Sequence, residues 1–161
     1  MTDKETILLQ GEVATREHIQ DVNTLLIEAA QELLERAVKH DASKLQPVEH
    51  EKFSMAAARF KEPGNEFGTK GYEETKEWLG SALQHHYEHN SHHPEHYDDG
   101  VLGMNLFDLL EMLLDWRAAA AARSASGELD LDKSQEMHKI PDDVMRLLRN
   151  TAAFLENVSA V

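Results

Sequence analysis

Apolar residues recur every three to four positions along most of this chain, and no segment alternates in steps of two, so the pattern predicts helices and no strands. Ile19, Val22, Leu26, Ala29, Leu33 and Ala37 mark one face of a helix over most of 16–40, with Thr15 as its N-cap and His18 at its third position. Residues 1–14 are expected as an extended lead-in, with Ile7, Leu8 and Leu9 docked on the core. A second amphipathic stretch covers 48–61, with Phe53, Ala56, Ala57 and Phe60 inward. Turn chemistry makes 62–71 a loop, and 72–90 returns to helix with Trp78, Leu79, Ala82 and Leu83 on its inner face.

A proline- and histidine-bearing loop at 91–100 then leads to 101–123, which is apolar nearly all round and should therefore be central and buried. A polar, mobile loop is expected at 124–133 and a short turn near 134–139. Pro141 opens a terminal helix over 141–157, with Val144, Leu147, Leu148 and Leu155 inward. The fold class is all-α, and 161 residues make most simply one compact helical domain.

Composition narrows the function. The formal net charge of −14 argues against a nucleic-acid polymer as partner, because a broad acidic surface repels phosphates. No apolar run approaches the ~20 residues of a membrane span, and residues 1–5 lack the features of a signal peptide. The expected location is the cytoplasm. Without cysteine, a thiolate zinc site is excluded. Any metal must be held by imidazole and carboxylate, a donor set that suits Mn, Fe, Co, Ni, Zn or Mg.

Such donors cluster in three places. His40-Asp41 closes the first helical stretch, with Ser43-Lys44 behind it, and Lys44 can meet a phosphate as a point charge. Six histidines fall between His85 and His96, of which His86, His92 and His93 are best placed to converge, at a helix end and in the loop after it. Within the apolar helix, Asp108, Glu111 and Asp115 share a stripe at i, i+3 and i+7. Asp115 reads as a metal ligand and Glu111 as the group behind the ligands, holding a histidine or the reacting water. Asp108 reads as an exposed charge at the helix entry. Glu49 or Glu51 could supply a general acid just beyond the His-Asp pair, the other lying at the surface. Asn90 and Arg117 are expected to meet the substrate beside Lys44. His18 and His40 lie within roughly 40° on one helix face, yet a straight helix would hold them about 33 Å apart. For both to serve one site the helix must break, and the break is expected near 29–32.

The order His18, His40-Asp41, Asp115 resembles the H…HD…D signature of the HD-domain superfamily of metal-dependent phosphohydrolases. His40-Asp41-Ala42-Ser43-Lys44 is similar to the HD-x-G-K variant of its cyclic-dinucleotide phosphodiesterases, with serine for glycine. More narrowly, HD-x-SK, then His92-His93-Pro94-Glu95-His96, then Glu111-Met112-Leu113-Leu114-Asp115-Trp116, resembles a small uncharacterised family of phages and bacteria over roughly 15–123. The resemblance implies an HD-like helical domain with one or two divalent ions. His18, His40, Asp41 and Asp115 would hold the first, and His86, His92 and His93 would hold a second or bind phosphate oxygens. Lys44 and Glu111 would be catalytic. The substrate would be a small phosphate ester such as a nucleotide, and the chain would pair as a homodimer. The alternatives are an HD-fold di-iron oxygenase and a non-catalytic metal-binding protein.

Overall fold

A computed structural model describes residues 2–123 and 127–159 of the chain. All regular structure among them is helical, and none of these helices is long and apolar enough to cross a membrane. The chain divides into two units, Met1–His40 and Asp41–Val161.

The first unit is one helix, α1 (Asp3–Lys39). It begins where the lead-in was expected because Thr2 forms a capping box: its hydroxyl accepts from the Glu5 amide at 3.3 Å, and the Glu5 carboxylate accepts from the Thr2 amide at 2.6 Å. Asp3 and Glu5 in the first turn and Arg36 and Lys39 in the last complement the helix dipole. Pairs four residues apart, Glu12–Arg16, Glu32–Arg36 and Glu35–Lys39, brace its length. Thr15 does not cap; its hydroxyl bonds the Gly11 carbonyl inside the helix, at 2.8 Å. The expected break near 29–32 is absent, since Ala29-Ala30-Gln31-Glu32 are good helix formers with nothing to interrupt them. Ile7, Leu8 and Leu9 are exposed, as are Ile19 and Leu26, and no residue of α1 is buried. A helical period reveals a face, not what covers it.

The second unit carries α2 (His50–Arg59), α3 (Lys70–Leu79), α4 (Ser81–His89), α5 (Leu106–Arg123), α6 (Leu131–His138) and α7 (Asp142–Ser159), with short 3₁₀ turns at Ala42–Leu45, Pro94–His96 and Gly100–Gly103. Its core joins α5 to α7: Met112 and Leu113 pack with Val101, Ile140, Met145 and Leu148, and Leu109, Trp116 and Val144 close around them. The expected terminal helix is α7, although Leu147 points outward. Residues 124–126 of the expected loop 124–133 lie outside the described residues, and α6 already begins at Leu131.

Two departures shape the site. The expected helix over 72–90 is two helices, divided at Gly80, whose φ of +55° and ψ of −123° suit only glycine. The helix expected from 101 starts at Leu106 instead, because the Asn105 side chain accepts from the amides of Phe107 (2.8 Å) and Asp108 (3.1 Å).

Candidate metal centre

The centre is assembled from a turn, a helix end and a loop. Asp41 sits in the left-handed region at φ +55°, which a short polar side chain tolerates, and its carbonyl accepts from the Lys44 amide at 2.9 Å to close the turn. The turn then brings Glu49 to the start of α2. The last turns of α4 supply His85, His86 and Asn90, and the loop beyond supplies His92 and His93.

Four of these side chains converge. One ligand atom from each of Asp41, His86, His92 and His93 lies within 4.8 Å of all the others. The Asp41 Oδ1 atom is 3.2 Å from His86 Nε2 and 3.5 Å from His92 Nε2, and His86 Nε2 is 2.9 Å from His93 Nε2. His86 and His92 are buried; Asp41 and His93 are half-buried. An oxygen of Asp115 lies within 4.8 Å of the Asp41 carboxylate.

Each buried imidazole has a carboxylate behind it. His86 Nδ1 meets Glu49 Oε2 at 2.9 Å, and His92 Nδ1 meets Glu111 Oε1 at 3.3 Å. Carboxylates only accept, and each ring has one at both nitrogens: Glu49 or Glu111 at Nδ1 and Asp41 at Nε2; where the Nδ1 protons are given to the glutamates, the Nε2 lone pairs face Asp41. Lone pairs and an anionic oxygen directed at one point repel unless a cation lies among them, so this donor set fits a divalent metal.

Positive charge at this point, a proton on Nε2 or a cation, is what Asp41 requires. Burial alone would raise its pKa, but hydrogen bonds from His86 and His92 and the Lys44 ammonium overcome it and hold the carboxyl well below the usual range. His93 is lowered to about 2, first by burial and then by His92 and His86, and so stays neutral, the form that binds metal.

A fully buried carboxylate locks the histidine loop in place. Asp108 accepts from Ser91 Oγ (2.7 Å), Tyr97 Oη (2.8 Å) and the Asn105 amide (3.0 Å), which fastens the residues flanking His92 and His93 to the start of α5. The expected exposed charge is therefore a buckle. Donors from the segment before α5 compensate it.

The family model that matches this chain covers residues 9–160, nearly all of it. The chain belongs to DUF5662, a family of unknown function. No curated protein and no solved structure matches it. Every candidate ligand of this DUF5662 chain falls inside the matched range.

The remaining candidates fall as follows. His18 stands on an unbroken α1, about 33 Å along the helix from His40, so these two do not share an ion within one chain. His40 caps the end of α1, its amide donating to Arg36 O at 2.7 Å, and is joined to Asp41 through the chain. Lys44 Nζ pairs with Asp41 Oδ2 and lies 5.3 Å from the Phe53 ring centroid. Asn90 is buried, its amide nitrogen given to Ser43 Oγ (2.8 Å) and the His86 carbonyl (2.7 Å) and 3.1 Å from His86 Nδ1, so it ties the 3₁₀ turn to the end of α4. Arg117, two residues past Asp115, is set about 200° round α5 from it by helix geometry. Sequence reasoning gave Ser43 and His85 no role of their own, and it read Glu49, with Glu51, as a general acid rather than as the partner of His85 and His86.

Proposed function

We propose that this protein is a metal-dependent phosphohydrolase of the HD-domain kind, acting on a small phosphate ester such as a nucleotide. The observation that carries the reading is the convergence of Asp41, His86, His92 and His93, with the Lys44 ammonium on the same Asp41 carboxylate. Those four residues, with Asp115 beside Asp41, would hold the ion. A bound divalent ion supplies a water acidic enough to be a nucleophile at neutral pH. Lys44 adds a positive charge where a phosphoryl group gains negative charge, and a preorganised charge there favours the transition state. Glu49 and Glu111 fix the ring faces that His86 and His92 present. His93, held neutral by its surroundings, takes no proton from the medium.

The test is phosphate release from a panel of nucleotides and simple phosphate esters with Mn²⁺, Co²⁺ or Mg²⁺. Turnover is expected in the wild type, lost in Asp41→Ala, and reduced about 100-fold in Lys44→Ala with metal still bound. Oxygen-dependent turnover with iron and no phosphate release would favour an oxygenase instead. Bound metal with no turnover of either kind would leave a non-catalytic metal protein.

A further inference from the structure

We infer that Glu49 is a positioning residue that sets the tautomer of His86 and, through it, the affinity of the centre for its ion. The inference rests on the metal reading above, but its first test does not need a metal. Glu49 is fully buried, and a buried carboxylate persists only where donors compensate it. Its two oxygens are shared between consecutive histidines: Oε1 accepts from His85 Nδ1 at 2.7 Å, and Oε2 from His86 Nδ1 at 2.9 Å. Ser43 Oγ donates a further bond to Oε2 at 3.0 Å, and Ser43 in turn accepts from Asn90 Nδ2 at 2.8 Å. His86 Nδ1 is also 3.0 Å from Ser43 Oγ and 3.1 Å from Asn90 Nδ2, and of its three neighbours Glu49 Oε2 is the one that can only accept, which favours the proton on Nδ1.

The geometry is a clamp. With one oxygen pinned by His85, the carboxylate cannot turn away from His86. His86 then keeps its proton on Nδ1, and Nε2 remains the lone pair aimed at Asp41 Oδ1 and His93 Nε2. Glutamine in place of Glu49 has the same shape but carries its own amide protons, so it cannot accept from both rings at once. Released from the clamp, His86 can place its proton on Nε2, where Asp41 would accept it, and that form no longer binds metal through this atom.

Long-range ¹H–¹⁵N spectra of the metal-free protein read the tautomer directly, and a Co²⁺ titration followed by its visible spectrum reads affinity. In the wild type His86 is expected in the Nδ1–H form. In Glu49→Gln it shifts toward Nε2–H, and Co²⁺ binds roughly 10- to 100-fold more weakly with altered ligand-field bands. His85→Ala, at a half-exposed ring, is expected to give a smaller loss of the same kind and serves if Glu49→Gln does not fold. A wild-type His86 already in the Nε2–H form overturns the proposal. So does a folded Glu49→Gln with unchanged tautomer and Co²⁺ affinity. If the wild type binds no Co²⁺, the metal reading fails, and the tautomer alone decides whether Glu49 governs His86.

Discussion

His138 lies nearly parallel to the Trp116 ring, with centroids 5.1 Å apart and planes at 18°. Its surroundings are mixed: Glu95 Oε1 is 3.8 Å from its Nδ1, and Lys76 and Glu73 act on it from α3. Burial dominates and lowers its pKa, with Lys76 adding to the shift and the two glutamates opposing it. The folded state thus holds this ring neutral at a pH where the unfolded chain would take up a proton. Between the two pKa values the unfolded state binds more protons, so stability rises with pH there. The contribution is present above the unfolded histidine value of about 6.5 and is lost as pH falls below it. Urea midpoints at pH 8 and pH 5.5 should fall for the wild type, and fall less for His138→Gln, which cannot titrate. Equal pH dependence in both proteins would show that the loss comes from other histidines.

Among elements, the join between the 91–97 loop and α5 depends on Asp108. Replacing it with alanine leaves the Ser91 and Tyr97 hydroxyls and the Asn105 amide without their acceptor. A single buried unmet donor costs about 1–3 kcal/mol. Asp108→Ala should therefore lower unfolding free energy by about 3 kcal/mol in urea titrations, and it should weaken metal binding because His92 and His93 ride on that loop. A loss of stability with metal affinity intact would separate the buckle from the site. Asp108 also marks the limit of periodicity as a guide. The i, i+3, i+7 stripe placed Asp108, Glu111 and Asp115 together, but spacing along one helix is silent about Ser91 and Tyr97, which lie in another segment. The same limit hid the role of Glu49, whose partners His85 and His86 are 36 and 37 residues away. His86, His92 and His93 were legible because their density in one short segment was itself improbable. The interruption at Gly80 was not, since one glycine inside a helical apolar pattern is tolerable and its backbone angles are set by packing. On α1 the local residues spoke for an unbroken helix, and the break was expected only to bring His18 to the site.

Over the whole molecule, the net charge of −14 must be separated from the site. An acidic protein gathers divalent cations loosely over its surface, and any such ion relieves self-repulsion. Stabilisation by added metal is therefore not by itself a sign of a centre. What distinguishes the two is that surface binding is spread over many carboxylates, whereas the centre depends on one. At a free ion concentration 100 times the dissociation constant, a single site adds about 2.7 kcal/mol to folding. For a chain of this size that is a rise in melting temperature of about 5–10 °C. Mn²⁺ or Co²⁺ is expected to give such a rise in the wild type, and EDTA to reverse it. In Asp41→Ala, which changes the net charge by only one, the rise should nearly vanish if Asp41 joins the imidazoles in holding the ion. If Asp41→Ala keeps the full rise, the ions are binding to the acidic surface, and the convergence of Asp41 with His86, His92 and His93 is held by protons.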